Sequence, residues 1–261
     1  MPGRMARKDG ESVLRWVPRG RNWLAITAVI LVAVSLAPPA GSLARRYVFA
    51  ESIQFVLFAT AVPALLVLGA PWRMIGLPRG PAQERPAGSG FPRGAATLLI
   101  FIGVLIAWRL PVTVNALATQ SGLVLAELVT LVAAGSALWL QLVESPPLLP
   151  RLSRPLRAMF AALAMWSIWI LAYILGFSQV AWFRAYLQPG VNPVIDQEIA
   201  TGLMWAVSAI CFVPVVYVAA LTWLRDTSDP DDELRAMIRA QRQQRGHRWP
   251  RPPRGWNPPS A

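Results

Sequence analysis

The sequence predicts an all-α membrane protein, a polytopic bundle of about six transmembrane helices. Three observations lead to this fold class: six long apolar runs, 12 Trp residues that often lie near the ends of those runs, and a biased distribution of cations. Each run approaches the ~20 residues that a helix needs to cross ~30 Å of hydrocarbon. Amphipathic indole rings favour the membrane interface, so their placement agrees with the runs.

The six runs cover residues 23–37, 51–69, 95–108, 121–143, 158–177 and 197–224. The first and third are short, so flanking residues must complete them. We predict a basic N-terminal segment (1–22), a six-span membrane domain (23–224) and a C-terminal tail (225–261). The start of the chain also fits a secretory signal with a small-residue cleavage site at 42–44, but its long charged lead favours an uncleaved anchor.

The arginines and lysines predict the orientation. Of 25 cationic side chains, 21 lie on the N-terminal segment, the 70–94 and 144–157 linkers and the C-terminal tail. The other linkers hold only Arg45, Arg46, Arg109 and Arg184. The positive-inside rule then predicts that both termini are cytoplasmic and that these four arginines face outward.

The net charge of +12 is explained by this topology. Because the cations are spread over several linkers and no recognisable motif gathers them, we expect no nucleic-acid binding. The expected partner of the basic segments is membrane lipid. In the tail, Asp229 and Pro230 predict the start of an amphipathic surface helix, and the Pro- and Arg-rich residues 247–261 are predicted to be disordered.

Polar residues inside the spans are costly and mark candidate sites. Here they gather toward the predicted outer face, which suggests one shared outward-facing site: Glu51, Gln54, Arg109, Glu127, Asp196, Gln197 and Glu198. Structural roles compete with this interpretation. We expect Asp196 to cap its own helix and Arg109 to form a buried ion pair with Glu127.

No catalytic constellation is evident, so we predict that the protein is not an enzyme. The single His247 and the single Cys211 exclude His-dependent triads near the outer face and Cys-based metal sites within one chain. No paired zinc ligands and no phosphate-binding loop are recognisable. We predict no metal site.

Several short motifs resemble those of one family. Residues 192–205, Asn-Pro-Val-Ile-Asp-Gln-Glu-Ile-Ala-Thr-Gly-Leu-Met-Trp, resemble the signature of the polytopic CtaG-type (caa3-type) cytochrome c oxidase assembly factors. Val-Leu-Gly-Ala-Pro at 67–71, Trp-Arg-Leu-Pro at 108–111 and Phe177-Ser178 followed by Tyr186 support it. The resemblance covers about residues 20–225, and its signature residues are Gly69, Pro71, Trp108, Pro111, Asp196, Gln197, Gly202, Met204 and Trp205.

The resemblance implies a bacterial plasma-membrane protein that helps to mature a haem-copper oxidase, with a role in supplying or positioning copper. The family histidines, however, are replaced. The second span has Glu51, Ser52 and Phe55 where the family has His, Met and His, and Arg109 replaces the histidine of the third span. In the fourth span, where the family has His-x-x-Glu-His, Glu127 remains between apolar Val124 and Leu128.

The resulting hypothesis is a divergent assembly factor that acts as a scaffold and contacts an oxidase subunit or a copper carrier. Copper is the one cofactor that the resemblance suggests, and the loss of imidazole ligands argues against its direct binding. The alternative is a transporter-like protein whose outward polar pocket binds a small solute or a proton.

Overall fold

A computed structural model describes residues 22–73, 90–145, 148, 150 and 152–227, and it confirms the prediction of an all-α membrane helix bundle. The described residues form eight helices and no strand, with ranges α1 Asn22–Leu36, α2 Ala40–Ala44, α3 Val48–Gly69, α4 Phe91–Arg109, α5 Pro111–Thr119, α6 Ser121–Leu142, α7 Arg154–Gly176 and α8 Pro193–Thr227. Five of them, α3, α4, α6, α7 and α8, are long and apolar enough to cross a membrane.

The remaining predicted span, residues 23–37, corresponds to α1, which has 15 residues and begins at the first described residue. That length gives about 22 Å of helix. The chain divides into two compact units, Met1–Ala220 and Leu221–Ala261. All contacts discussed below lie in the first unit. The predicted surface helix after Asp229, His247 and most of the basic N-terminal segment lie outside the described residues.

Helix α3 begins at Val48, three residues earlier than predicted, and three other spans begin four residues early. Helices α4, α7 and α8 begin at Phe91, Arg154 and Pro193 rather than at 95, 158 and 197. Each has a proline in its first turn or at its first position, where the missing N–H costs no helical hydrogen bond. The apolar runs omit these first turns because they contain arginine or aspartate.

Two short helices, α2 and α5, were not predicted. Neither is long enough to show as an apolar run, since they have 5 and 9 residues. Leu110 is extended before Pro111, which separates α5 from α4. A 3₁₀ turn at Arg184–Tyr186 packs with α5, so the connectors at this end form a layer of their own.

The linkers meet in two groups at opposite ends of the bundle. The first group consists of the linkers 37–47, 110–120 and 177–192. Gln188 donates a hydrogen bond to the Arg46 carbonyl at 3.0 Å, and the Ala185 amide donates to Asn115 at 2.8 Å, so these three linkers contact one another. At the other end, the Ser145 hydroxyl donates to the carbonyl of Val67. Successive spans therefore run in alternating directions, and the first group of linkers forms what we call the polar end.

The bundle is apolar both inside and outside. Its centre is filled by fully buried aromatic side chains, among them Phe58, Phe101 and the stacked pair Trp139 and Phe212, whose ring centroids are 5.3 Å apart. The outer faces of the helices expose many large aliphatic side chains, such as Leu99 and Ile210. A soluble protein rarely exposes apolar surface on this scale, whereas lipid tails cover it without cost.

Helix α3 is interrupted by a π-helical turn at Leu57–Ala61. Pro63 follows it and has no N–H to donate to the carbonyl of Ala59, so the ladder must widen here. A Cβ atom on Gly135 of α6 would lie 2.6 Å from that carbonyl oxygen. The segment around Pro63 therefore forms a close contact between α3 and α6 near the middle of α3.

Candidate functional site

A buried ion pair joins α3 to α4 at the polar end. Glu51 lies in the first turn of α3, and its Oε2 accepts a hydrogen bond from Nη1 of Arg109, the last residue of α4, at 2.6 Å. Both side chains are buried. The guanidinium carbon also lies 4.0 Å from the ring centroid of Phe55, one helical turn after Glu51. Arg109 is therefore held by a charge-assisted hydrogen bond and by a cation–π contact.

This arrangement corrects one prediction. Arg109 was expected to pair with Glu127, and that expectation is wrong, because its guanidinium bonds Glu51 instead. Glu127 is also buried, yet its Oε1 has no hydrogen-bond partner. The sequence indicates that the three side chains lie at similar depth, but the rotation of each helix about its axis decides which carboxylate meets the cation.

A cavity of about 180 Å³ lies beside this pair. Glu51, Gln54 and Glu127 line its inner wall, and Arg45 of the 37–47 linker lines its exposed side. Gln54 is fixed because its side-chain amide donates a hydrogen bond to the Ser35 carbonyl of α1. The structure thus brings four of the seven predicted site residues together, with Arg109 behind Glu51 and the other three on the wall.

Tyr186 completes the cavity and is the site residue that sequence reasoning missed. It lies on the 3₁₀ turn of the 177–192 linker, is buried, and its hydroxyl has no hydrogen-bond partner. Burial raises the pKa of this phenol, the negative charges of Glu51, Glu127 and Asp196 raise it further, and Arg109 opposes them. The one signal for it in the sequence was its place among the motifs of the family resemblance.

Asp196 has a structural role that differs from the predicted one. Its carboxylate accepts hydrogen bonds from the amides of Val48 at 2.9 Å and Phe49 at 3.1 Å, so it caps the N-terminus of α3 rather than that of α8. Its own helix is capped by Asn192, whose Oδ1 accepts from the Val194 amide at 3.0 Å. A cap contributed from 148 residues away fixes the entry of α3 beside the cavity.

Gln197 and Glu198 do not line the cavity. Gln197 is buried and accepts from the Trp182 amide at 3.2 Å, while its own amide donates to the Leu175 carbonyl at 2.6 Å. It therefore holds the 177–192 linker against α8. Glu198 is exposed. The structure separates this pair of neighbours into one linker anchor and one surface carboxylate.

Several signature residues make helix contacts at a distance from the cavity. A Cβ on Gly69 would lie 2.5 Å from the Ala25 amide of α1, so only glycine permits this approach. Trp108 donates to Thr130 at 2.8 Å. Met204 is fully buried, whereas Gly202 is exposed and has open space around it. Most of these signature residues are therefore explained by packing between helices.

Within the part of the chain that the structure describes, no group of three His, Cys, Asp or Glu side chains is placed to hold a metal ion. The positions that the resemblance associates with histidine hold Glu51 and Arg109, which bond each other, and Phe55, which packs under the guanidinium. In α6, Val124 lines the cavity beside Glu127. The cavity thus has two buried carboxylates and one phenol on its wall, with the buried guanidinium of Arg109 behind Glu51.

Comparison with known proteins identifies one family. A family model described as cytochrome c oxidase caa3 assembly factor (Caa3_CtaG) matches residues 3–226. No curated protein and no solved structure matches the chain. The match begins earlier than the resemblance suggested and covers most of the chain, including every residue around the cavity. This chain belongs to the cytochrome c oxidase caa3 assembly factor family.

Proposed function

We propose that this protein is a non-catalytic membrane scaffold for the maturation of a cytochrome c oxidase and that it does not itself bind copper. Family membership supports the role in oxidase assembly. The observation that carries the finer proposal is the Glu51–Arg109 ion pair, which occupies positions that the resemblance assigns to histidine. In this protein the pair crosslinks α3 and α4.

The donor set around the cavity does not suit copper. Copper sites in proteins use imidazole, thiolate or thioether ligands, and the cavity wall presents carboxylates and a phenol instead. Arg109 lies 2.6 Å from the Glu51 carboxylate, so a metal ion there would meet a fixed positive charge. We infer that any copper delivered to the oxidase is held by another protein, with this chain contacting that carrier or an oxidase subunit.

The alternative of a transporter finds less support. A permeation path needs polar groups that continue across the membrane midplane. Among the described residues, the buried charged side chains, Glu51, Arg109, Glu127 and Asp196, all lie toward the polar end. Near the middle of α3, buried Thr60 bonds its own helix at the Val56 carbonyl at 2.6 Å.

We further propose that the protein resides in a bacterial plasma membrane with both termini in the cytoplasm. The supporting observation is the cation distribution. The polar end carries only four arginines, three on its linkers and Arg109 at the end of α4, whereas the remaining 21 cations lie at the two termini or in and beside the other linkers. Under this orientation the cavity opens toward the outer face. Protease accessibility of a C-terminal epitope in spheroplasts, intact and permeabilised, tests it, and cleavage in intact spheroplasts would reverse the orientation.

The role in assembly is tested by deleting the gene and measuring spectroscopically the assembled oxidase in membranes. We expect the oxidase to be lost, wild-type protein to restore it, and added copper not to restore it. Copper content, measured by elemental analysis of purified protein after Cu(I) loading, should be near zero. Near-stoichiometric copper, or full rescue by copper salts, would contradict the scaffold and favour direct copper delivery.

A further inference from the structure

An apolar groove lies on the lipid-facing side of the bundle between α1, α3 and α6. It has a volume of about 380 Å³, and its walls include Val29 and Val32 of α1, Val62 of α3, and Val129 and Ala133 of α6. Val29 and Val129 are 63% and 57% exposed, so the groove is open on one side. In a membrane, this opening faces the acyl chains.

The groove and the cavity follow one another along the same two helices. On α1 the cavity is lined by Leu36 and the groove by Val32, and on α6 the corresponding residues are Val124 and Leu128. Four residues along a helix span about 6 Å. The polar cavity is thus followed, one helical turn deeper in the bundle, by the apolar groove, which is open to lipid. An amphiphile with a polar head and one long tail has this same sequence of surfaces.

The head group of such an amphiphile must match the polar atoms of the cavity. Glu51 Oε1, Glu127 Oε1 and the Tyr186 hydroxyl are buried without hydrogen-bond partners, and all three residues line the cavity. Glu127 opposes an anionic head, while Arg109, which is bonded to Glu51, and Arg45 on the exposed side of the cavity oppose a cationic one. A neutral head that donates hydrogen bonds to the carboxylate oxygens satisfies both conditions.

The number of these atoms narrows the chemical class of the head group further. They come from three separate elements, so a single hydroxyl cannot satisfy all of them. The cavity of about 180 Å³ far exceeds the roughly 15 Å³ that one water molecule requires. A flat ring that carries two hydroxyls suits both its size and its polar atoms.

We propose that this protein binds a membrane quinol, with the hydroxylated ring between Glu127 and Tyr186 and the tail in the groove lined by Ala133. The site goes beyond the proposed scaffold role and does not depend on it. Binding alone is inferred, and the carboxylate oxygens act as acceptors for the ring hydroxyls.

The test is equilibrium binding of radiolabelled decylubiquinol to the full chain in nanodiscs, corrected with empty nanodiscs. We expect one saturable site per chain. Tyr186→Phe and Glu127→Leu should each weaken binding by about tenfold, equivalent to about 1.4 kcal/mol. Decylubiquinone, which has no hydroxyl donors on its ring, and 1-decanol, which has one hydroxyl and no ring, should bind more weakly than the quinol by a similar factor.

A matched pair of alanines tests the groove without touching the polar atoms. Ala133 and Ala206 are both exposed on long helices, and only Ala133 lines the groove. Ala133→Phe should weaken decylubiquinol binding by about tenfold or more, and Ala206→Phe should leave it unchanged. Absence of saturable binding, equal binding of decanol, or an unaffected Ala133→Phe variant overturns the proposal. Loss of oxidase assembly on gene deletion is measured separately, so the two proposals fail independently.

Discussion

Breaking the Glu51–Arg109 ion pair should produce the largest stability loss among the substitutions considered. Replacing Arg109 with Met leaves the Glu51 carboxylate buried at 3% exposure with no cation beside it. At an effective dielectric of about 20, two unit charges about 4 Å apart attract by about 4 kcal/mol. Leaving one partner of a buried pair uncompensated typically costs about 3–5 kcal/mol. We expect Arg109→Met and Glu51→Leu each to lower the free energy of unfolding by that amount.

The double variant should be far milder than the sum of the two. Arg109 Nε and Nη2 and Glu51 Oε1 have no hydrogen-bond partners, so the pair only partly recovers the cost of removing two charges from water. Combining Glu51→Leu with Arg109→Met removes both charges at once. We expect a loss of about 2 kcal/mol or less for the combination, which corresponds to a large coupling in a double-mutant cycle.

The assay is reversible unfolding in mixed micelles of a non-ionic detergent and dodecyl sulfate, followed by tryptophan fluorescence. A second ion pair supplies the control. Arg157 Nη1 lies 3.2 Å from Glu144 Oε1, and the two side chains are 17% and 44% exposed. Glu144→Gln should therefore cost about 1 kcal/mol or less, and it keeps the hydrogen bond from Arg157 Nε to the Leu152 carbonyl. If Arg109→Met is as mild as Glu144→Gln, or if the two single losses at the buried pair simply add, our reasoning about this pair is refuted.

Three further predictions use the same assay. Asp196→Ala removes the cap from the N-terminus of α3 and should cost about 1–2 kcal/mol, and an unchanged midpoint would contradict its capping role. Gly135→Ala places a Cβ 2.6 Å from a backbone carbonyl of α3 and should cost about 1–3 kcal/mol. Gly103→Ala, in open space on α4, should be neutral or slightly stabilising. If Gly135→Ala and Gly103→Ala have equal effects, the close contact between Gly135 and α3 is refuted. The pKa of Tyr186 is raised in the folded state, so the folded protein retains the phenolic proton and its free energy of unfolding should fall as pH rises above about 10. Tyr186→Phe should lessen this fall. An identical pH profile for the variant would contradict the prediction.

Much of the fold was predictable because a bilayer imposes a simple rule on sequence. A chain that crosses hydrocarbon must pair all its backbone groups internally, so long apolar runs become helices. That rule located the five long spans. It missed α2, α5 and the turn that carries Tyr186, because short connectors follow local turn preferences and tertiary contacts rather than hydropathy. It also placed helix starts late where the first turn contains charge.

The candidate site was predictable in composition and depth but not in pairing. Buried polar residues stand out against apolar runs, so Glu51, Gln54, Arg109 and Glu127 were visible. Which carboxylate meets the guanidinium depends on helix rotation, which a sequence of similar apolar residues specifies weakly. The same limit explains why Asp196 was assigned to the wrong helix.

The sequence by itself therefore determined that this is a multi-span membrane protein of the assembly-factor family, because hydropathy and short motifs are properties of the linear chain. Only the tertiary structure decided how its charges are used. Packing of α3 against α4 joins Glu51 to Arg109 and leaves Glu127 and Tyr186 facing a cavity. The physical reason is that a buried charge is stabilised only by groups within a few ångströms, and those neighbours come from segments far apart in the chain.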